Sequence, residues 1–308
     1  MNLTVCTLFE KDYHFGVGAF TNSLVKSGYK GVLWAGHRGG LPDWARPVVS
    51  TARFDEFKVN SDCSIRFVPL KTPDHLASYK PVFMRDLLDE YPDHDAVAYF
   101  DPDIIIRWRW NFFEEWVRCG VAICEDVNSP VPENHPLRMA WRRYCSERGI
   151  TLHSRTDVYA NSGFIGVTRA NRTFLVEWRQ MLELIAPAVP GGLTRFGLKD
   201  RTYPFHIVDQ DAFNMALMKT PCPISLISKD GMDFAPGYTI MSHAVGPHKP
   251  WRKQMIWRAL GGLPPSGADK GYFDNAKAPI RLYSDAALFH KRLNLTLASL
   301  LGRIIRRA

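Results

Sequence analysis

A chain of 308 residues with 46% hydrophobic and 23% charged residues holds enough apolar material for a full core, which excludes a mainly disordered protein. The formal net charge of +8 points to anionic partners: nucleic acid, phosphorylated ligands or an acidic membrane. Residues 277–308, however, carry Lys277, Arg281, Lys291, Arg292, Arg303, Arg306 and Arg307 against Asp285 alone, so the other 276 residues are close to neutral and a surface-wide nucleic-acid cradle is excluded.

The opening Leu3-Thr4-Val5-Cys6-Thr7-Leu8-Phe9 is apolar and β-branched and reads as a buried strand rather than a secretion signal. Glu10 to Gly18 reads as a turn, Ala19–Val25 as a helix ending near Gly28, and Gly31–Ala35 as a second strand. This strand–helix–strand unit builds parallel sheet. Ile65–Leu70 is a third strand and Pro81–Glu90 an amphipathic helix, with Val82, Phe83, Leu87 and Leu88 at helical spacing. Ala96–Phe100, Ile104–Ile106, Val121–Cys124 and Phe164–Val167 read as strands, and Leu137–Arg148, Arg172–Leu184 and Gln210–Met218 as helices. The alternation predicts an α/β fold with a mostly parallel central sheet, helices on both faces and ligands at the carboxyl ends of strands. Gly261–Gly271 reads as a linker. Beyond it, Phe289, Leu293, Leu297, Leu300, Leu301 and Ile304 fall near one helical face, a pattern that Leu295 breaks.

Six cysteines without a CxxC or a zinc-like Cys/His spacing read as reduced thiols of a cytosolic protein. No run of 18 apolar residues is present, and the three Asn-x-Thr sequons read as chance matches.

Four segments carry chemistry. Asp101-Pro102-Asp103 closes an apolar strand, so two carboxylates can face one divalent ion, for which hard oxygen donors suit Mg²⁺ or Mn²⁺. Asn161 and Ser162 stand at the edge of a strand. Asp209-Gln210-Asp211 opens a helix, where Asp209 could equally be an N-cap. In His243-Ala244-Val245-Gly246-Pro247-His248-Lys249-Pro250-Trp251, His243 offers an imidazole, Gly246 lets backbone N–H groups approach an anion, and Lys249 can pair with phosphate.

Over most of residues 1–260 these segments resemble the retaining glycosyltransferases of family 8. His243-x-x-Gly246-x-x-Lys249-Pro250-Trp251 matches that family's HxxGxxKPW motif at every fixed position. Asp101-x-Asp103 matches its DxD, Asn161-Ser162-Gly163 its N-[SA]-G, and Asp209-Gln210-Asp211-x-x-Asn214 its DQDxxN. The resemblance implies a GT-A, Rossmann-like nucleotide-diphospho-sugar transferase fold, a Mn²⁺ or Mg²⁺ ion and a nucleotide-sugar donor. It implies that Asp101, Asp103 and His243 coordinate the metal, that Asp103, Gly246 and Lys249 meet the donor diphosphate, and that Thr7 and Tyr13 contact the donor, Tyr13 by stacking on the base. Lys80 would give a basic donor contact, with Arg85 as its alternative. Asn161, Ser162, Asp209 and Gln210 would surround the transferred sugar, Asp209 and Gln210 as the catalytic pair. The loop Phe9-Glu10-Lys11 departs from the family pattern, which favours small or acidic residues there.

The expected function is therefore metal-dependent, retaining transfer of a hexose from UDP-glucose or UDP-galactose to a glycan or lipid-linked acceptor. Residues 1–262 would form the catalytic domain and 263–308 a linker and basic tail. Because Gln210 is a poor nucleophile, attack from the leaving-group side is favoured over double displacement. The competing readings are a phosphohydrolase, a sugar-nucleotide pyrophosphorylase, and a non-catalytic nucleotide-sugar-binding or membrane scaffold protein. The first two lack their expected context, since the acidic pair lies a third of the way along and Gly16-x-Gly18 lacks a basic Gly-rich loop. The tail could pack on the body or lie on an anionic membrane, which would place a cytoplasmic protein at the inner face of the bilayer.

Overall fold

Short β-branched and aromatic runs become strands and the longer periodic stretches become helices, as their side-chain periods require. The computed structural model describes residues 1–153 and 156–305. The first elements are β1 (Leu3–Glu10), α1 (His14–Lys26), β2 (Gly31–Arg38), β3 (Val49–Ser50), β4 (Asp55–Lys58), β5 (Cys63–Pro69) and α2 (Leu76–Glu90). Then come β6 (Ala96–Phe100), β7 (Ile104–Ile106), α3 (Trp110–Arg118), β8 (Val121–Glu125), α4 (Pro136–Ser146), β9 (Ala160–Thr168) and α5 (Thr173–Ile185). The last are α6 (Val208–Lys219), β10 (Ile224–Ile227), β11 (Met241–His243), α7 (Met255–Leu260), α8 (Gly267–Asp274) and α9 (Asp285–Ile304). The α/β class expected from the sequence holds.

The chain divides into two interleaved units. Unit 1 comprises Met1–Leu8, Leu70–Phe100 and Phe112–Lys229; unit 2 comprises Phe9–Pro69, Asp101–Asn111 and Asp230–Ala308. In unit 1 the strands run in the order β10-β8-β9-β6-β1, parallel for β10/β8 and β6/β1 and antiparallel around β9. Its core is aromatic: Trp116 stacks on Phe164 at 4.7 Å between ring centroids, and Trp178 meets Phe213 at 4.9 Å. Each such buried ring contributes roughly 1.5–3 kcal/mol through area removed from water. The β8–β9 register slips between Ile123 (opposite Ile165) and Cys124 (opposite Asn161). This irregularity falls on Asn161 and Ser162, and bulges of this kind re-aim side chains.

Unit 2 has the order β2-β5-β4-β3, with β2/β5 parallel, and a separate antiparallel pair, β7 with β11. Its α1 begins at His14, earlier than the sequence pattern suggested, because Gly16 and Gly18 are packing residues rather than turn signals. A Cβ on Gly16 would lie 2.3 Å from the Pro102 carbonyl oxygen, and one on Gly18 would lie 2.4 Å from Leu282. The predicted stop at Gly28 is a Schellman turn: Gly28, at φ +94°, donates to Val25 O and Tyr29 donates to Leu24 O. The last part of the stretch expected to be a linker, from Gly267, is the start of α8. Ser266 Oγ accepts from Asp269 N (3.2 Å) while Asp269 Oδ2 accepts from Ser266 N (2.9 Å), a capping box that starts α8. On α9, Leu295, which breaks the predicted stripe, is buried with Leu288, Ala298 and Gly302, whereas Phe289, Leu293, Leu297, Leu300 and Ile304 are exposed. Arg306 and Arg307 lie outside the described residues.

Candidate functional site

The first polar cluster belongs to unit 2 and follows from strand register. β7 and β11 pair with Ile104 opposite His243, so Asp103, the residue before β7, lies beside the histidine. Ala244 N donates to Asp103 O at 3.1 Å and continues this pairing. His243 Nε2 is 3.6 Å from Asp101 Oδ2 and 3.4 Å from Asp103 Oδ1. One ligand atom from each of the three residues falls within 4.8 Å of the others, and His243 Nδ1 is buried without a hydrogen-bond partner. Two hard oxygens and an imidazole nitrogen at that spacing fit a divalent ion such as Mn²⁺ or Mg²⁺.

Lys249 Nζ donates to Asp103 Oδ2 at 2.5 Å and to Ala244 O at 2.9 Å. Burial would push the Asp103 carboxyl up, but the neighbouring Lys249 ammonium and His243 hold it far below the usual carboxylate range. Burial likewise works to lower the Lys249 pKa, and the Asp103 carboxylate more than reverses this, so the pair stays ionised. Gly246 sits at φ +84°, a left-handed conformation that favours glycine. Tyr13 is anchored to the same loop: its ring meets Trp251 edge-on at 5.4 Å, and the Arg252 guanidinium lies 5.2 Å over it. Asp12, unremarked in the sequence, ties the two segments by accepting from Trp251 Nε1 (3.1 Å) and pairing with Arg252.

The second cluster belongs to unit 1. Lys80 projects from α2 and donates to Asp209 Oδ2 (3.2 Å) and Ser162 O (3.0 Å), while Ser162 Oγ donates to the same Asp209 oxygen at 2.7 Å. Lys80 also lies 5.1 Å over the Tyr99 ring. Arg85 is half-buried and pairs with Asp86 and Asp89 instead. Asp209 is not the N-cap of α6; that position is Ile207, without a side-chain cap bond. Its Oδ1 is buried and has no hydrogen-bond partner, as is Thr7 Oγ1 on β1. Such an orphan acceptor is costly unless a ligand satisfies it.

The rest of the α6 motif fixes the helix on β9. Asn214 accepts from Ala160 N (2.8 Å) and donates to Ala160 O (2.9 Å), serving as a strand partner for that residue. Gln210 Oε1 accepts from Ser162 N at 3.2 Å. Asn161 Nδ2 donates to Asp126 Oδ2 at 2.6 Å, and Asp126 is a buried acid that motif reading passed over. Its one available signal was an acid following strand β8, the pattern that singled out Asp101.

Asp211 accepts from the Tyr159 hydroxyl at 2.7 Å and from Ile207 N at 2.9 Å. Burial pushes its carboxyl up to about 8, helped by Asp209 and Asp126 and opposed by those two hydrogen bonds. The folded protein therefore keeps a proton that the unfolded chain releases near pH 4. This contribution to stability is full below that value and is lost as pH rises through about 8, by up to about 1.4 kcal/mol per pH unit. Asp211→Asn, which mimics the protonated form, is expected to flatten that part of the slope in urea unfolding between pH 5 and pH 8. A slope identical to that of the unmodified protein would refute the assignment.

No family model matches the chain, and no curated protein sequence matches it. Solved structures match its fold. The galactosyltransferase LgtC, in complex with donor and acceptor sugar analogues, aligns with a TM-score of 0.52 at 13% identity over 94% of this chain and 99% of LgtC. The bifunctional glycosyltransferase WbbM in its apo form aligns with a TM-score of 0.52 at 13% identity, covering 94% of this chain and 51% of WbbM; this chain thus spans about half of WbbM. An active-site glutamine-to-glutamate mutant of LgtC gives a TM-score of 0.50 at 12% identity over 89% of this chain and 95% of that one. The fold is the GT-A glycosyltransferase fold, which the sequence motifs had implied.

Proposed function

We propose that this protein is a metal-dependent retaining glycosyltransferase that moves a hexose from a nucleotide sugar, UDP-glucose or UDP-galactose, to a glycan or lipid-linked acceptor. The observation that carries this reading is the Asp101, Asp103 and His243 set with Lys249 on Asp103, held by the β7–β11 register within a GT-A fold. A divalent cation bound there would supply charge neutralisation for the departing nucleoside diphosphate. Lys249 would add its own charge to the developing phosphate oxyanion, an interaction stronger in the transition state than in the ground state. Tyr13 would stack on the base, and the Gly246 loop would present backbone N–H groups to the diphosphate.

In unit 1, the free Asp209 Oδ1 would accept a donor-sugar hydroxyl, and Lys80 and Ser162 would hold that carboxylate in place. The Gln210 amide carries no nucleophilic carboxylate, and LgtC also has an active-site glutamine. This supports attack on the leaving-group face, with the departing phosphate taking the acceptor's proton. Six free cysteines, five of them buried, support a cytoplasmic setting.

A panel of nucleotide sugars incubated with and without Mn²⁺, read as released nucleoside diphosphate, tests the reading. Mn²⁺-dependent release from one or two UDP-hexoses is expected. Tight donor binding with no release from any donor would identify a nucleotide-sugar-binding protein instead.

A further inference from the structure

We infer that Phe234, set in place by Asp233, is a positioning residue that holds the His243 imidazole toward Asp101 and Asp103. The inference rests on the metal reading of those three residues and adds what fixes the third of them. A histidine that binds a metal through one ring nitrogen is ordinarily oriented by a hydrogen bond that the other donates. Among the described residues His243 has no such partner. Its Nε2 faces the two aspartates at 3.6 and 3.4 Å, and its Nδ1 is buried without a hydrogen bond. Packing must therefore restrain the ring. The aromatic side chain beside it is Phe234, at 5.9 Å between ring centroids and tilted by 35°.

The backbone explains how Phe234 comes to lie there. Residues 230–240 form a loop closed on itself: Ile240 N donates to Gly231 O at 3.1 Å, Asp233 N to Asp230 O at 3.0 Å and Tyr238 N to Asp230 Oδ2 at 2.9 Å. Arg107 N donates to Ile240 O at 2.9 Å, which fastens the end of the loop to the β7–β11 pair. Within the loop Asp233 has φ +65°, a left-handed conformation that aspartate tolerates better than most residues but that still needs support from its surroundings. Asp233 Oδ2 accepts from Ser242 Oγ at 2.8 Å, and a Cβ on Gly267, at the start of α8, would lie 2.0 Å from the same oxygen.

Ser242 and His243 are neighbours on β11, so their side chains leave opposite faces of the strand. Asp233 and Phe234, likewise consecutive, take one each. The loop thus straddles the strand that carries the histidine, the carboxylate anchoring one face and the phenyl ring bracing the other. Ser242 is fully buried, and its hydroxyl needs a partner; meeting that need with Asp233 decides where the next residue's ring falls.

Mn²⁺ binding to the full chain, followed by calorimetry, tests this, with the melting temperature of the metal-free protein as the check on folding. Phe234→Ala should weaken Mn²⁺ binding by roughly 10–100-fold, the usual effect of losing a group that orients a metal ligand. Phe234→Tyr keeps the ring and should bind like the unmodified protein. Asp233→Asn tolerates the left-handed conformation and can still accept from Ser242, so it should do the same, whereas Asp233→Ala should lose affinity as Phe234→Ala does. The Asp233 pair carries the test if Phe234→Ala folds poorly. Tyr238→Ala is the control, since Tyr238 lies in the same loop, is 61% exposed and meets Trp108 at 4.6 Å instead. It should leave Mn²⁺ affinity unchanged. Mn²⁺ bound as tightly by Phe234→Ala and Asp233→Ala as by the unmodified protein would overturn the inference and leave the metal site standing. A loss in Phe234→Tyr or Tyr238→Ala equal to that in Phe234→Ala would show a loop that merely holds its shape, and would overturn it too. Absence of Mn²⁺ binding by the unmodified protein would remove the metal reading and the inference with it.

Discussion

Asp103→Asn is expected to lower Mn²⁺-stimulated turnover by about 10²–10³-fold, the effect of removing one electrostatic stabiliser from a transition state. The carboxylate has two tasks in different directions. Its Oδ2 holds Lys249, and its Oδ1 faces His243 and Asp101. The amide offers one neutral oxygen for both, so affinity for the proposed cation and the placement of Lys249 would fail together. Lys249→Gln removes only the second task and leaves the ligand set intact. It should therefore lower turnover while Mn²⁺ binding, followed by calorimetry, persists. Asp103→Asn with an unchanged Mn²⁺ response and donor release would remove this cluster from the chemistry.

What the sequence made legible here was residue type and order; the contacts came from pairings between distant segments. The two aspartates and His243 could be singled out because their motifs are short and rigidly spaced. Their meeting depends on β7 pairing with β11, two three-residue strands that no local propensity selects. The interleaving of the two units is illegible for the same reason, since Asp101–Asn111 belongs to unit 2 while the residues on both sides of it belong to unit 1. Local signals also had two readings. Gly16 and Gly18 look like turn glycines and are close-packing glycines. The hydrophobic period on α9 was read correctly as helical, but periodicity cannot say which of two apolar faces meets the body. Asp126 and the Tyr159–Asp211 pair were hidden because burial, not residue type, gives them their interest.

Lys80→Met is expected to cost about 3–5 kcal/mol of stability, the range found when one partner of a buried ion pair is removed. Lys80 and Asp209 side chains are 2% and 1% exposed, and methionine fills the volume of the lysine stem without its charge. The Asp209 carboxylate would then keep Ser162 Oγ as its hydrogen-bond donor but lose its counter-ion. The carboxylate would be left buried without a compensating charge, which is the source of the expected penalty. Adding Asp209→Asn to Lys80→Met removes the stranded charge and should recover part of the loss, a coupling that a double-mutant cycle in urea isolates. A penalty additive with Asp209→Asn would show that Lys80 acts through packing of its stem alone. If the ion pair is the source, the same cycle read as turnover separates the two roles of the lysine. With Asp209 in its proposed role, Lys80→Met should lower kcat by freeing Asp209 to move, and Asp209→Asn in that background should add little, because the carboxylate would be useful only while Lys80 and Ser162 hold it in place.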